Sequence, residues 1–200
     1  MPDFIYLASQ SPRRRELLQQ IGVDHRLLLA DDGEDVEALE AEVEGESPAG
    51  YVRRVSAIKL DAAVARLQRR NLEIAPVLCA DTTVSIDGRI LAKPRDDAEA
   101  KAMLRSLSGR THRVITGVAV WSPRFRGEVL QASFVRFADL SDDEIGRYVA
   151  SGEPRGKAGA YAIQGRAAAF VRRIAGSHSS IMGLPLHETA VLLRRAGAKV

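Results

Sequence analysis

Near the amino terminus stands Phe4-Ile5-Tyr6-Leu7-Ala8-Ser9-Gln10-Ser11-Pro12-Arg13-Arg14-Arg15, in which an apolar run is followed at once by helix-start residues. The apolar run from Phe4 to Ala8 predicts a buried strand. Ser11 is a favourable N-cap and Pro12 suits the first helical position, so a helix should follow directly and end near Gly22. A strand that leads at once into a helix is typical of an α/β fold.

The three arginines of this stretch conflict with the electrostatics of the predicted helix. Arg13, Arg14 and Arg15 fall in its first turn, where cations are disfavoured by about 0.3–1 kcal/mol each. A bound anion would remove the conflict, because free backbone N–H groups and guanidinium groups both bind phosphate. The alternative interpretation is a solvated basic turn.

Strand and helix patterns alternate along the rest of the chain. Helices are predicted over residues 12–21, 47–67, 96–107, 141–152 and 185–195, and strands over residues 4–8, 76–80, 83–86, 89–92, 113–121, 128–137 and 167–174. The pair Asp87-Gly88 predicts a two-residue hairpin turn in which Ile86 faces Arg89. We expect one domain over residues 1–200, with a twisted mixed sheet flanked by helices, in two lobes around a cleft.

Composition narrows the class of protein. Hydrophobic residues make up 46% of the 200 residues, which is enough for a sizeable core. Cys79 is the one cysteine, so an intramolecular disulfide is excluded. Neither a leader pattern nor a stretch of about 18 apolar residues is present, so we expect a cytoplasmic protein that does not enter a membrane.

The charges are unevenly distributed. The net charge is +3, yet residues 31–46 hold nine acids and no Lys or Arg, so the remainder is strongly basic. A strongly basic chain with one acidic segment is suited to bind an anionic substrate together with a metal ion, or to bind nucleic acid. For most of these nine acids, the expectation is that they belong to an exposed, mobile loop. Because 24 of the 29 basic residues are Arg, the few lysines, among them Lys59, Lys93 and Lys157, are candidate phosphate ligands.

Asp81 is the strongest candidate for catalysis. It follows the buried run Val77–Ala80, and ligands of α/β folds often bind at the carboxyl ends of strands. The hairpin register would bring Lys93 to the same end of the ribbon. An acid beside a lysine there can bind a metal-bound phosphate or activate a water, although a simple strand-ending cap is the alternative.

The glycine-rich segment at residues 152–159 is not a P-loop. That motif requires Gly where Ser151 stands and Ser or Thr where Ala158 stands. What remains is a loop of small residues that a ligand could approach closely, followed by Gln164, whose amide could read a base edge. The four histidines lack zinc spacing, and the serines lack the setting of a hydrolase nucleophile.

Together these segments resemble the Maf family of nucleoside triphosphate pyrophosphatases. The resemblance is carried by Leu7-Ala8-Ser9 with Ser11-Pro12-Arg13-Arg14, Ala80-Asp81-Thr82, Lys93-Pro94, Leu107-Ser108-Gly109 with Thr116-Gly117-Val118, Gly156-Lys157-Ala158-Gly159-Ala160-Tyr161-Ala162-Ile163-Gln164-Gly165, Gly176-Ser177 and Gly183-Leu184-Pro185-Leu186. It implies a fold like that of the inosine triphosphate pyrophosphatases, a divalent metal (Mg²⁺, with Mn²⁺ as the alternative) and a homodimer.

Within the family, the Asp-Thr pair and the loop ending in Gln164 resemble the subgroup that acts on dTTP and UTP. The resemblance implies these roles: Asp81 as the catalytic proton acceptor; Lys59 and Lys93 as further catalytic residues, which hold phosphates together with Arg14; Arg13, Thr82 and Gln164 as specificity residues; Ser9 and Ser11 as further substrate contacts; Glu34 and Asp81 at the metal. The acidic segment reads Asp31-Asp32-Gly33-Glu34 where the family commonly has Asp-x-Asp-Glu.

The expected reaction is hydrolysis at the α-phosphorus, which gives a nucleoside monophosphate and pyrophosphate. Two alternatives remain open. The base could be 7-methylguanine or another modified base with the same chemistry. The protein could instead bind nucleic acid, or act as a regulator of septum formation, a process to which the resembled family is linked by name. No specific nucleic acid is expected, because few aromatic residues are available for stacking.

Overall fold

A computed structural model describes residues 2–35 and 38–200. These residues form seven strands and six α-helices, in the order β1 (Ile5–Leu7), α1 (Pro12–Gln20), β2 (His25–Leu27), α2 (Pro48–Arg69), β3 (Val77–Ile86), β4 (Arg89–Leu91), α3 (Asp97–Leu107), β5 (Thr111–Ser122), β6 (Phe125–Phe137), α4 (Asp142–Ala150), β7 (Val171–Ala175), α5 (His178–Met182) and α6 (Leu186–Arg195). Short 3₁₀-helices span Ala38–Glu40, Ala158–Ala160 and Arg166–Phe170.

The seven strands form one mixed sheet in the order β2-β1-β3-β5-β6-β7, with β4 paired to β3. Strand β1 runs parallel to β2 and β3, whereas β4 on β3 and β7 on β6 are antiparallel. The predicted α/β class and mixed sheet are therefore confirmed. Of the described helices, none has the length and apolar character needed to cross a membrane.

Contacts along the chain divide it into two compact units. The first unit comprises residues 1–81, 116–131 and 183–200, and the second comprises residues 82–115 and 132–182. Strands β3, β5 and β6 each contribute residues to both units.

Helix α2 supplies the core of the first unit. Its residues Leu60 and Ala63 pack with Tyr6 of β1 and Val77 of β3, all of them buried. The approach of α2 to β5 depends on Gly117, where a Cβ atom would lie 2.7 Å from Ser56 Oγ and 2.9 Å from Val52 Cγ1. The absence of a side chain at that glycine lets the helix pack directly on the strand.

Aromatic side chains fill the core of the second unit. Phe137 makes T-shaped contacts with His112, Tyr161 and Phe170, at centroid distances of 4.9, 4.9 and 6.1 Å. Such edge-to-face pairs add to the stabilisation from burial itself. The capping box that opens α4, between Ser141 and Glu144, is present as predicted.

The predicted hairpin is confirmed in its register. Val84 faces Leu91, Ser85 faces Ile90 and Ile86 faces Arg89. Asp87 and Gly88 have φ angles of 51° and 78°, as a type I′ turn requires.

The prediction of two separate strands before this turn is wrong, since β3 runs unbroken from Val77 to Ile86. Asp81 therefore lies inside a strand and not at its end. Its carboxylate is paired with Lys59, and a neutralised acid does not force a buried strand to stop.

The strand predicted over residues 167–174 begins too early. The chain first forms the 3₁₀-helix Arg166–Phe170, in which the Ala168 N–H donates to the Gly165 carbonyl at 3.0 Å, and strand β7 starts only at Val171. The short elements β2 and α5 were not predicted. With three and five residues they are too short to show a hydrophobic period.

Candidate active site

Lys59 and Asp81 form the centre of the candidate site in the first unit. Lys59 projects from α2, and its Nζ donates to Asp81 Oδ1 on β3 and to Glu40 Oε1, each at 2.7 Å. Only 13% of the Lys59 side chain and 11% of the Asp81 side chain are exposed. In such surroundings charges interact more strongly than they do in water.

Tyr51 borders the same group of charges. Its hydroxyl donates to the Glu40 carbonyl at 3.0 Å. Burial raises the pKa of Tyr51, and the nearby carboxylates of Asp81 and Glu40 raise it further. The hydroxyl therefore stays protonated and serves as a fixed donor.

Arg14 brings a further cation toward Asp81. Its Nε donates to the Gly183 carbonyl at 2.9 Å and its Nη1 to Ser9 Oγ at 3.1 Å. Burial lowers the pKa of the Arg14 guanidinium, and the charge of Asp81 opposes that shift. The structure thus places Ser9 beside Arg14 and Lys59 beside Asp81, and the charges of Arg14 and Asp81 interact.

The N-terminus of α1 is poorly capped. Ser11 is at the predicted N-cap position, but its hydroxyl makes no cap hydrogen bond, and the first turn holds no acid. The Ser11 N–H instead donates to Ser9 Oγ at 3.2 Å. Arg13 Nε is buried and lacks a hydrogen-bond partner among the described residues. Backbone and guanidinium donors at this helix end are suited to an anion.

Glu34 is held by arginines of α2 and not by Lys59. Arg66 Nε donates to Glu34 Oε2 at 3.1 Å, and Arg69 also pairs with this carboxylate. The charge and hydrogen bonds of Arg66 lower the pKa of Glu34. The side chain of Arg66 is 4% exposed, and it donates to the Leu28 carbonyl at 3.0 Å as well. Glu34 thus anchors its segment to α2.

Part of the acidic segment is held against α2 by ion pairs, whereas Asp32, Asp35, Glu42 and Glu44 are exposed, as expected for most of its acids. Four of its acids pair with basic residues of α2 or its C-cap: Asp31 with Arg69 and Arg70, Glu34 with Arg66 and Arg69, Glu40 with Lys59, and Glu46 with Arg54. Val36 and Glu37, within this segment, lie outside the described residues. Opposite charges on the segment and the helix explain the docking.

Glu40 is the carboxylate that sequence reasoning missed. It is one of nine acids in a run of 16 residues, and no motif distinguishes it from the others. Its role becomes visible only because it shares the ammonium of Lys59 with Asp81. Over residues 2–35 and 38–200, no three or more His, Cys, Asp or Glu side chains are grouped so that they could hold a metal ion.

The second unit carries Thr82, Lys93 and Gln164. Thr82 lies on β3, and the exposed Lys93 follows β4. The Gly159 N–H donates to the Ala92 carbonyl at 3.2 Å, which joins the segment of Lys93 to the 3₁₀-helix Ala158–Ala160. Gly159 has a φ of 66°, and a Cβ atom there would lie 2.8 Å from a methyl of Val84, so only glycine fits. Gln164 is exposed in the turn that follows.

A comparison with models of known protein families shows which family this chain belongs to. Residues 4–196 match the model described as Maf-like protein. The chain belongs to the Maf family. The resemblance seen in the sequence is therefore confirmed over nearly the whole chain.

Curated relatives of this Maf chain match it along 93–100% of their length. A dTTP/UTP pyrophosphatase of Albidiferax ferrireducens is 58% identical and covers 100% of both chains. Proteins with the same name from Cupriavidus metallidurans and Burkholderia pseudomallei are 62% and 61% identical, over 98% and 96% of this chain and 98% and 93% of theirs. Among solved structures, the Ham1 protein of Staphylococcus aureus gives a TM-score of 0.46 and 16% identity, over 68% of this chain and 72% of that one.

Proposed function

We propose that this Maf protein hydrolyses dTTP and UTP to the nucleoside monophosphate and pyrophosphate. The observation that carries the proposal is the buried pair of Lys59 and Asp81, with Glu40 and Arg14 beside it. Relatives that match over full length and are named for this activity support the same conclusion.

In the proposed reaction, Asp81 accepts a proton from the attacking water. The new bond forms from the water oxygen to the α-phosphorus, and the bond from that phosphorus to the bridging oxygen of pyrophosphate breaks. Arg13, Arg14, Lys59 and Lys93 would neutralise the negative charge that grows on the leaving pyrophosphate. Such positioning and charge stabilisation provides most of the catalysis of phosphate chemistry.

Substrate binding is proposed to begin at the N-terminus of α1. Ser9 and Ser11 lie at this helix end, and Arg13 offers an unpaired buried Nε there. Recognition of the base is assigned to Arg13, Thr82 and Gln164, following the Maf resemblance. Gln164 supports that role because its amide is exposed and can both donate and accept a hydrogen bond.

A divalent metal, Mg²⁺ or Mn²⁺, belongs to the same proposal. The donor set fits, because Asp81 and Glu40 each present an oxygen 2.7 Å from one ammonium, so both oxygens already face a single cation. Mg²⁺ in phosphate sites commonly uses one or two carboxylates and takes its other ligands from water and substrate. When bound, it would polarise phosphate oxygens. Glu34 remains the family-based candidate for a further contact.

Three further expectations accompany this activity. We propose a homodimer from the Maf resemblance, and a cytoplasmic location because nucleoside triphosphates are made and used there. We also treat residues 1–200 as one functional domain, since the Maf match runs through both compact units.

The test is release of pyrophosphate from a panel of dTTP, UTP, CTP, ITP and 7-methyl-GTP, with Mg²⁺ and with a chelator. The proposal expects the highest kcat/KM for dTTP and UTP, and activity only with the metal. A preference for 7-methyl-GTP would change the base but keep the chemistry. Absence of turnover together with salt-sensitive DNA binding would favour a nucleic-acid binder instead.

A further inference from the structure

Gln164 stands at the third position of a tight turn. The Gly165 N–H donates to the Ala162 carbonyl at 3.0 Å and closes the turn Ala162-Ile163-Gln164-Gly165. Ala162 and Ile163 are buried, whereas Gln164 is exposed. The position of its amide therefore depends on how firmly the two ends of the turn are held.

Two side chains outside the turn hold its ends. The Ala162 N–H donates to the Tyr148 hydroxyl at 3.3 Å, at the start of the turn. The Arg166 N–H donates to Glu153 Oε2 at 3.0 Å, just after it. The Tyr148 hydroxyl in turn donates to Glu153 Oε1 at 2.9 Å, so the two ends are linked through one carboxylate.

The carboxylate also packs against the turn itself. A Cβ atom on Gly165 would lie 2.3 Å from Glu153 Oε1 and 2.5 Å from its Cδ. The glycine therefore leaves the space that Glu153 occupies. Tyr148 is fixed on its other side by an edge-to-face contact with Phe170, with centroids 5.2 Å apart. The support for the turn is thus rigid and specific in shape.

We propose that Glu153 is a positioning residue that sets base specificity by holding the turn that presents Gln164. The inference rests on the proposed function, in which Gln164 reads the base. Uracil and thymine present an N3–H donor beside an O4 acceptor, and cytosine presents the reverse pattern. A primary amide can satisfy either pattern if it is free to move, so discrimination requires the amide to be held in one place.

The experiment compares kcat/KM for UTP and CTP in Glu153→Gln and Tyr148→Phe. Glutamine places an NH2 group where one carboxylate oxygen stood, so Tyr148 and Arg166 no longer share one charged acceptor, and Tyr148→Phe removes the hydroxyl that joins Glu153 to the Ala162 N–H. We expect the UTP/CTP ratio of kcat/KM to fall about tenfold, which corresponds to the loss of one hydrogen bond of ordinary net strength. Asp143→Asn, an exposed acid of α4 in the same unit, is the matched control and should leave the ratio unchanged.

A double-mutant cycle separates positioning from a general loss of structure. In a Gln164→Ala background, Glu153→Gln should change the ratio by less than about twofold, because its effect passes through Gln164. An equal effect in both backgrounds, or an unchanged ratio in the single variant, would overturn the inference. Hydrogen exchange of the amides of Ala162 and Arg166 should accelerate in Glu153→Gln, and unchanged exchange would overturn it as well.

The same measurements distinguish this inference from the proposed function. If the wild-type protein does not hydrolyse UTP, or if Gln164→Ala leaves the ratio unchanged, the proposed function or its base-reading residue fails and the inference fails with it. If Gln164→Ala lowers the ratio and Glu153→Gln does not, only the role of Glu153 is wrong.

Discussion

Lys59 Nζ lies 2.7 Å from Asp81 Oδ1, and this pair joins helix α2 to the middle of strand β3. The ammonium also holds Glu40, so it has a second partner when Asp81 is altered. The charge of Asp81 can therefore be removed without leaving Lys59 as a buried, unpaired cation. This makes the catalytic role of Asp81 testable separately from stability.

Asp81→Asn should lower kcat for UTP by on the order of 10²-fold or more, because the amide cannot accept the proton of the attacking water. Steady-state kinetics measures kcat, and a thermal melt checks that the variant keeps its stability. The control is Asp24→Asn, which changes an exposed acid of the same unit. A near wild-type rate in Asp81→Asn would remove this residue from the proposed role.

Glu40→Gln should raise the Mg²⁺ concentration needed for half-maximal activity by about tenfold, equivalent to about 1.4 kcal/mol. The change removes one of the two carboxylate charges that face a common cation. Titration of Mn²⁺ binding to the free protein should weaken in the same direction. Glu42→Gln alters an exposed acid nearby and is the control. Unchanged metal dependence in Glu40→Gln would assign this residue to holding Lys59 alone.

Substitutions of Arg13 and Arg14 in α1 should differ in their effects on substrate binding and on stability. Arg13→Ala should raise the KM for UTP about tenfold with little change in melting temperature, because its buried Nε has no partner to lose. Arg14→Ala should also destabilise the protein, by about 1–3 kcal/mol, because it removes the hydrogen bonds of Arg14 to Ser9 Oγ and to the Gly183 carbonyl. The exposed Arg15→Ala is the control. If Arg13→Ala leaves KM unchanged, the anion does not bind at this helix end.

His112 should make stability depend on pH below neutrality. Burial lowers the pKa of His112 to about 4 from its ordinary value of 6.5. The unfolded chain therefore binds the proton first, and folding free energy is lost as the pH falls from 6.5 toward 4, by up to about 3 kcal/mol. Denaturant unfolding across this range measures the loss. His112→Gln should make the free energy of unfolding less dependent on pH, whereas substitution of the exposed His187 by Gln should not. An equal slope in both variants would contradict the assignment.

Two glycine-to-alanine substitutions should change the free energy of unfolding in opposite directions. Gly117→Ala should destabilise the fold by about 1–3 kcal/mol, because the added carbon would meet Ser56 Oγ at 2.7 Å and Val52 Cγ1 at 2.9 Å. Gly146→Ala on α4 meets nothing within 4 Å and should stabilise by up to about 1 kcal/mol through helix propensity. Chemical denaturation measures both. A stable Gly117→Ala would show that α2 can shift on β5.

Local chemistry explains which parts of the fold were predictable. Ser47, Asp96 and Ser141 each accept a backbone hydrogen bond at a predicted helix start, and Asp87-Gly88 fixes the hairpin register. These signals act over two to four residues, so they can be read directly from the sequence. Ser11 is the exception among the predicted N-caps, since its hydroxyl makes no cap hydrogen bond. Its N–H donates to Ser9 Oγ instead.

The candidate site was predictable in part. The motifs and family resemblance indicated Ser9, Arg14, Lys59 and Asp81, which the structure groups together in the first unit. They did not indicate Glu40, because an acid in an acidic segment has no local signature. The supports of Gln164 were missed for a similar reason, since Tyr148 and Glu153 act on a turn more than eight residues further along the chain.

Sequence patterns alone were sufficient to predict the α/β class, the starts of the longer helices, the turn of the β3–β4 hairpin and membership of the Maf family, because these follow from short-range spacing and extended motifs. Only the tertiary structure decided that β3 continues through Asp81 and that Glu40, not Glu34, shares the ammonium of Lys59. Ion pairs form between whichever charges the folded backbone brings within reach. That outcome depends on how α2 packs on the sheet, which no local pattern specifies.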